Sequence, residues 1–401
     1  MRTKKACIYN ARIVLPERIV KGYLLIEGSR ISEVIEGSIP KNDRHLDLEM
    51  IDAQNAYVMP GMIDMHSDAI EKEIQPRPNS LFPIPMAYQE LDKKLPGSGI
   101  TTMYHSLSLS DDWGVRNTDA VLMIINTIND LKGKCSRIRH KIHLRYEIVF
   151  LEGISTLESL IREGSIDLMS YMDHTPGQGQ FKDIESYKEF TIKSFDYQAE
   201  EIDAFLDKTK EHAVKIDWAA LIRLARLAKS KGINLASHDD DSRAKIEMLC
   251  ACGGQISEFP INLETAQYAK SKGIYVIVGA PNIVRGQSHT NNMRAIDAIR
   301  HQAADIICSD YLPSAMLPAV FNLVKEGCKL SDAVKMVTLN PAKALGIAQE
   351  VGSIEAGKQA DLLIVEQYED YPVVRKTLVG GKLVYQSDFS VQNSERVENA
   401  G

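Results

Sequence analysis

The central part of the chain, from about Val58 to Leu345, alternates short apolar runs with longer segments whose apolar residues recur at helical spacing. We expect the apolar runs to be eight strands: "GMIDMH", "GITTMYHS", "KIHLRYEIVF", "IDLMSYMDH", "INLASHDD", "GGQISEF", "GIYVIVGAPN" and "ADIICSDY". Eight strands alternating with helices over roughly 280 residues predict an α/β fold, a (β/α)8 TIM barrel. A doubly wound open sheet is the alternative, but the glycine-rich fingerprint typical of that fold is absent after the first strand.

Both ends of the chain are rich in short strands separated by turns, such as "ACIYNARIVL" near the start and "RKTLVGGKLVYQS" near the end. We predict that residues 1–57 and 352–388 meet in a small β-sandwich domain, and that residues 58–351 form the catalytic barrel. Residues 389–401 lack apolar periodicity and are expected to form a flexible tail.

Composition and charge narrow the class of protein. The 401 residues are 44% hydrophobic and 25% charged, which is ordinary for a globular protein. A net charge of −7 argues against nucleic acid or an anionic membrane as a partner. No apolar run approaches the roughly 20 residues of a membrane span, and the N-terminus lacks the apolar core of a signal peptide. We therefore expect a cytoplasmic protein, which we also expect to be a homo-oligomer.

Polar side chains stand where the predicted strands end, which is where barrel enzymes carry their chemistry. His66 and Asp68 are two positions apart on the first strand and so share a face. With later strand-end residues they form a candidate metal set: His66, Asp68, Glu147, His174, His238 and Asp310. Imidazole and carboxylate are ligands that zinc and similar ions accept. Two neighbouring ions need a bridging ligand, and a carboxylate has two oxygens for this role. Glu147 is the candidate bridge, because no lysine that could serve in carbamylated form ends a central strand.

Some of these residues also have a purely structural interpretation. A single histidine at a strand end is more often a hydrogen-bonded core residue than a ligand, so we treat His105 as structural. His143 lies inside its strand and is expected at most to hydrogen-bond a ligand. Asp310 could merely cap the next turn, but with the other strand-end residues it is our candidate ligand and catalytic proton acceptor.

Several motifs taken together resemble the amidohydrolase superfamily: "PGMIDMHSD", "GITT", the strand-end histidines, "NPAKALGI" and "GSIEAGKQADLLIV". The resemblance implies a metal-dependent barrel hydrolase with a β-sandwich at the termini. It also implies one or two divalent ions, with Zn2+ expected and Mn2+ or another divalent ion as alternatives. Two departures concern the ligands. Asp68 stands where the common first-strand pattern has histidine, and Glu258 where many members have histidine on the sixth strand.

Within that superfamily the chain most resembles the diphosphatases of phosphonate catabolism, through "HSDAIEKEIQPRP", "HLRYE", "MDHTPGQGQF", "ASHDDD" and "GAPNIVRGQSH". This implies cleavage of a phosphoanhydride in a phosphorylated sugar. Such a substrate needs basic side chains near the rim, because the acidic ligands would otherwise repel it. The candidates are Lys72, Arg77, Arg145, Arg285 and His289. The alternatives are hydrolysis of a C–N bond in a cyclic amide or N-acyl substrate, and a non-catalytic relative that serves as a scaffold.

Overall fold

A computed structural model describes residues 5–39, 48–110, 114–175, 199–288 and 292–388. In chain order the strands are β1 (Lys5–Val14), β2 (Ile19–Glu27), β3 (Arg30–Glu36), β4 (Leu48–Asp52), β5 (Tyr57–Pro60), β6 (Met62–Ser67), β7 (Ile100–Leu109), β8 (Arg139–Glu147), β9 (Leu168–Met172), β10 (Asn234–His238), β11 (Ile256–Glu258), β12 (Tyr275–Gly279), β13 (Ile306–Cys308), β14 (Leu362–Tyr368), β15 (Tyr371–Val379) and β16 (Lys382–Gln386). The described helices are α1 (Ala69–Ile74), α2 (Ile84–Lys94), α3 (Thr118–Leu131), α4 (Ile154–Glu163), α5 (Ala199–Ala213), α6 (Trp218–Ser230), α7 (Arg243–Ala251), α8 (Leu263–Ser271), α9 (Ala280–Arg285), α10 (Ala295–Arg300), α11 (Met316–Lys325), α12 (Leu330–Lys335) and α13 (Leu339–Ala344). Short 3-10 turns occur between some of them.

Strands β6 to β13 form a parallel sheet in which the order in space follows the order in the chain. The sheet closes on itself through a bridge between Ser67 and Asp310. The predicted barrel is therefore confirmed, and the open sheet that was its alternative is wrong.

Below the rim, the side chains that the barrel strands point into the interior include a large apolar cluster. Residues such as Ile63, Leu168 and Ile277 pack in one buried cluster, which also includes Ala342 and Leu345 near the last barrel helix. A larger cluster joins the outer faces of the strands to the surrounding helices. Both faces of β7 are covered, and every residue of this strand is buried.

The two chain ends form a second sheet with the order β16-β15-β14-β5-β1-β2-β3, and β4 also pairs with β1. Strand β5 runs parallel to β1 and antiparallel to β14, so it joins the two ends. Leu24 near the start of the chain and Leu362 and Leu378 near its end share one hydrophobic core. Strand β5 continues past the expected boundary at residue 57 and leads through Gly61 directly into the barrel.

Contacts between the terminal sheet and the barrel lie at the amino ends of the barrel strands. Arg139, the first residue of β8, forms an ion pair with the buried Asp361 that precedes β14. The Gly61 amide donates to the Asp361 carbonyl at 2.8 Å. This leaves the opposite rim of the barrel to the polar strand ends. The predicted tail, residues 389–401, lies outside the described residues. Among the helices that the structure describes, none combines the length and the apolar character needed to cross a membrane.

Candidate metal centre

Three buried side chains from three strands meet inside the upper part of the barrel. His66 lies in β6, His143 in β8 and Glu258 in β11. Their donor atoms lie within 4.8 Å of one another. His66 Nδ1 is 3.0 Å and His143 Nε2 3.7 Å from Glu258 Oε1. His143 also contacts the hydroxyls of Ser106 and Ser170, each at 3.0 Å. We call these three residues, His66, His143 and Glu258, the inner group.

A second cluster lies closer to solvent and contains His174, His238 and Asp239, again with donor atoms within 4.8 Å of one another. We call it the outer group. Glu147 anchors His174, because its Oε2 is 2.8 Å from His174 Nδ1 and its Oε1 accepts from the His174 amide at 3.1 Å. Asp239 Oδ2 lies 3.9 Å from His174 Nε2 and 3.8 Å from His238 Nε2.

Glu258 connects the two groups. Its Oε1 faces His66, while its Oε2 lies 3.4 Å from His238 Nδ1. The rings of His66 and His238 are stacked with centroids 5.3 Å apart. The imidazoles and carboxylates therefore form one continuous set of donors rather than two separate sites.

Burial and neighbouring charge set the protonation of these donors. Burial, reinforced by the Arg145 guanidinium, holds the pKa of His66 and of His238 well below the usual value, so both imidazoles are neutral. Burial alone would lower the pKa of His174, but the Glu147 and Asp239 carboxylates outweigh it and raise that pKa. Neutral imidazole is the form that binds a cation.

Asp68 and Asp310 lie together where the barrel closes. The Asp68 amide donates to the Asp310 carbonyl at 2.9 Å, and the Asp310 amide donates to the His66 carbonyl at 3.0 Å. Asp68 Oδ2 is 3.8 Å from the Arg116 guanidinium, which also binds Glu71. Burial, with the nearby Asp68 charge, raises the pKa of Asp310 to about 7.

The five predicted substrate contacts are in different surroundings. Arg145 is buried and donates from Nη2 to His238 Nε2 at 3.0 Å. Lys72 is exposed, with its ammonium 4.2 Å from the centre of the Tyr311 ring, next to Asp310. Arg77 and Arg285 are exposed on the loop after α1 and at the end of α9. His289 lies outside the described residues.

The structure also brings in residues that the sequence did not single out. Asp239 completes the outer group, and Arg116 reaches Asp68 from the loop after β7. The run "SHDDD" was a signal for Asp239, but it did not show which carboxylate turns inward. No spacing rule pointed to Arg116. His105, which we treated as structural, contacts His140 Nδ1 at 2.8 Å rather than either group.

The donors present suit a divalent cation. Two carboxylate oxygens at the site, Asp68 Oδ1 and Asp239 Oδ2, are buried without a hydrogen-bond partner in the described part of the chain. A buried carboxylate oxygen in that state is costly unless a cation or a donor meets it. Together with neutral imidazoles they make a nitrogen and oxygen donor set of the kind that zinc accepts.

A closed parallel barrel with imidazoles and carboxylates gathered at the carboxyl ends of its strands is the arrangement of a barrel enzyme with a candidate metal site. Comparison with known proteins makes this more specific. Residues 182–384 match the amidohydrolase family. The chain belongs to that family, as its motifs suggested.

Similar proteins cover nearly the whole chain. The alpha-D-ribose 1-methylphosphonate 5-triphosphate diphosphatase of Escherichia coli is 32% identical, over 94% of this chain and 100% of that protein. The imidazolonepropionase of Fusobacterium nucleatum is 24% identical, over 86% of this chain and 85% of that protein. Among solved structures, N-acetylglucosamine-6-phosphate deacetylase from Pasteurella multocida matches with a TM-score of 0.64 at 14% identity, covering 94% of this chain and 99% of that chain. The last similarity concerns the fold alone.

Proposed function

We propose that this chain hydrolyses the phosphoanhydride of alpha-D-ribose 1-methylphosphonate 5-triphosphate, giving the 5-phosphate and pyrophosphate, in phosphonate catabolism. The observation that carries the proposal is the 32% identity with the Escherichia coli diphosphatase along the full length of that protein. The motifs that contain His66, Arg145, His174, His238 and Arg285 support it, since the resemblance to such enzymes depends on these motifs.

The inner and outer groups, with Glu147, are the residues that would hold the divalent metal used by this family. A divalent cation at such a site polarises a phosphoryl oxygen and lowers the pKa of water. Zinc is the ion we expect, and Mn2+ would also suit the carboxylates. Asp68 would add a further oxygen from the side of β6, because its Oδ1 is buried without a hydrogen bond among the described residues.

Asp310 is our candidate for the proton transfer. Hydrolysis of the anhydride needs a group that takes a proton as water attacks phosphorus and returns one as pyrophosphate leaves. The Asp310 side chain lies at the rim, where it is partly exposed, and its pKa is raised to about 7, close to neutral pH. A carboxyl group with such a pKa can exchange a proton in both directions.

Positive charge close to this carboxylate supports a polyanionic substrate. Arg145 is buried, and its Nε has no hydrogen-bond partner among the described residues. The Lys72 ammonium lies over the ring of Tyr311, the residue after Asp310, and the Arg116 guanidinium lies 3.8 Å from Asp68. Guanidinium groups bind phosphate through paired hydrogen bonds and an ammonium group binds it as a point charge, so these three residues would orient the triphosphate.

Hydrolysis of a C–N bond is the second candidate. It is favoured by the similarity to the imidazolonepropionase of Fusobacterium nucleatum. An enzyme for a neutral amide would have less need of several cations around the site, which is why we rank it second.

One experiment separates the two candidates. The purified chain, supplied with Zn2+ or Mn2+, is incubated with the ribose methylphosphonate triphosphate and, separately, with hydantoins and N-acyl amino acids. We expect pyrophosphate release from the first, no ring opening of the hydantoins and no amine release from the N-acyl amino acids, and we expect a His238→Asn variant to lose the activity. Ring opening or amine release without pyrophosphate would replace the diphosphatase proposal with the amide hydrolase.

A further inference from the structure

The last and first strands of the barrel, β13 and β6, share fewer backbone hydrogen bonds than other neighbouring strands do. Between β13 and β6 the backbone pairing consists of the single bridge between Ser67 and Asp310. Lower down, the Ile63 amide donates to the Val337 carbonyl at 2.8 Å, and the Ile307 amide donates to the Met336 carbonyl at 2.9 Å. The edges of the two strands therefore bind the segment before α13 instead of each other. We call this part of the barrel the seam.

Side chains replace the missing pairing at the upper end of the seam. Asp64 is fully buried, and its Oδ1 accepts from the Ser309 amide at 3.0 Å and from the His66 amide at 3.4 Å. The hydroxyl groups of Ser309 and Ser67 are 2.7 Å apart. One carboxylate oxygen thus connects the backbone that precedes Asp310 to the backbone of His66.

Asp310 needs such support because its backbone is in the left-handed region, with a φ of 57°. Residues other than glycine adopt that conformation at a cost, and it persists where the surroundings fix it. Its amide and carbonyl are both held, by His66 and Asp68, but these bonds are at the very end of the strands. The Asp64 contact fixes the preceding peptide.

We propose that Asp64 is a positioning residue, which holds the Ser309 amide and so sets the Asp310 carboxylate against His66 and Asp68, with the Ser67 and Ser309 hydroxyl groups in support. This rests on the proposed roles of Asp310, His66 and Asp68. Asp64 belongs to neither the inner nor the outer group: its role is to transmit the geometry of β6 to the end of β13.

The test compares Asp64→Ala with Asp64→Asn. Asparagine keeps an oxygen that can accept from both amides, whereas alanine removes it. We expect Asp64→Ala to lower kcat and the affinity for Co2+ by about 10- to 100-fold, with KM changed little, as for other residues that orient ligands. Asp64→Asn should recover most of both. The absorption spectrum of bound Co2+ should shift in the alanine variant and resemble that of the native protein in the asparagine variant.

A matched control separates positioning from stability. Asp167 accepts from the Ile142 amide at 2.9 Å in the same way, but at the amino end of β9. Asp167→Ala should lower the melting temperature while leaving kcat and the Co2+ spectrum unchanged. If Asp64→Ala does not fold, Ser67→Ala removes only the supporting hydroxyl group, and we expect it to shift the Co2+ spectrum and lower kcat by a few-fold.

Two results would overturn the proposal. One is that Asp64→Ala, or Ser67→Ala where that variant has to be used, has the kcat and Co2+ spectrum of the native protein. The other is that Asp64→Asn is as impaired as Asp64→Ala. The Co2+ affinity and spectrum do not depend on the substrate. If the native protein releases no pyrophosphate, the proposed function fails, and these two measurements still decide the role of Asp64.

Discussion

Asp310 is the residue on which the proposed proton transfer depends. Replacing it with asparagine keeps the shape and an oxygen that can face a cation, but removes the group that takes up a proton. We expect Asp310→Asn to retain bound metal and to lose about 10²- to 10⁴-fold in kcat, the usual contribution of general acid–base catalysis. Metal content is measured by atomic absorption and kcat by pyrophosphate release.

Asp305 gives the matched control for that substitution. Asp305 directly precedes the amino end of β13, whereas Asp310 follows its carboxyl end. The Asp305 Oδ2 accepts from the Val276 amide at 3.0 Å. Asp305→Asn should leave kcat within a few-fold of the native value. Native turnover in Asp310→Asn would remove Asp310 from the mechanism, whereas loss of metal would make it a ligand first.

His105 leads to a prediction about stability and pH. It is completely buried, and burial, with the adjacent His140, holds its pKa well below the value of about 6.5 for an unfolded chain. The unfolded chain therefore takes up a proton on acidification that the folded chain refuses. The resulting stabilisation is present above pH ~6.5 and is lost progressively as the pH falls below that value.

We expect His105→Asn to reduce this loss, by up to about 1.4 kcal/mol per pH unit between pH ~6.5 and 5. The free energy of unfolding is measured by urea denaturation in the presence of a chelator, so that metal release does not contribute. His301→Asn, at an exposed histidine, serves as the control. Equal pH slopes for the native protein and His105→Asn would contradict the prediction.

At this same scale, the sequence predicted which strand ends carry polar side chains but not which of them meet. Alternation along a strand predicted that His66 and Asp68 share a face, and their position at a strand end predicted that they lie at the rim. The contact of Glu258 with both His66 and His238 depends on strands that are far apart in the chain, and no local pattern contains it. The same is true of Arg116 beside Asp68. Metal binding by these residues stays a prediction.

At the scale of elements, the eight apolar runs each overlap a barrel strand, because a strand buried on both faces is largely apolar. The lengths of the strands were less predictable from the sequence. β11 and β13 have only three residues each, and within two residues of the end of each strand the backbone is in the left-handed region. These left-handed residues are Phe259 and Asp310. Neither is a glycine, so the sequence did not indicate where the two strands end.

Gly61 allows a test of how β5 passes into β6. A Cβ atom at this position would lie 2.8 Å from the Cβ of Thr101, the second residue of β7, which is closer than real contacts allow. Because the site is buried in the junction of the two sheets, Gly61→Ala is expected to cost about 1–3 kcal/mol of stability, as overpacked cores do. Calorimetric melting of the variant checks this.

Gly133 is the control for Gly61, since a Cβ there would meet no atom within 4 Å. Gly133→Ala should change stability by no more than about 1 kcal/mol, with stabilisation the expected sign. A Gly61→Ala protein as stable as Gly133→Ala would mean that β7 can move away without loss.

At the scale of the whole molecule, the chain ends could be predicted to be strands but their pairing could not. The contact of β5 with β14 joins residues 57–60 to residues 362–365, and nothing in either segment specifies the other. Each end supplies only part of the shared core, in which Leu24 packs with Leu362 and Leu378. The division into a terminal sheet and a barrel with its rim on the far side therefore follows from long-range packing.

That division predicts how metal removal should affect the molecule. Donors of the inner and outer groups come from β6, β8, β10, β11 and the segment after β9, so a bound cation would tie these strand ends together. The terminal sheet contributes no donor to either group. A ligand at 100 times its Kd stabilises a protein by about 2.7 kcal/mol, and that stabilisation should be confined here to the barrel.

Hydrogen exchange measures this directly. With a chelator we expect faster exchange at rim amides, such as those of His174 and Asp239, which donate to Glu147 and to the Glu258 carbonyl. Amides of β2 that pair with β1 and β3 should exchange at the same rate with and without metal, and serve as the internal control. Rim amides that do not respond would show that the two groups do not hold the cation. Equal acceleration in the terminal sheet would show that the barrel and this sheet unfold as one unit.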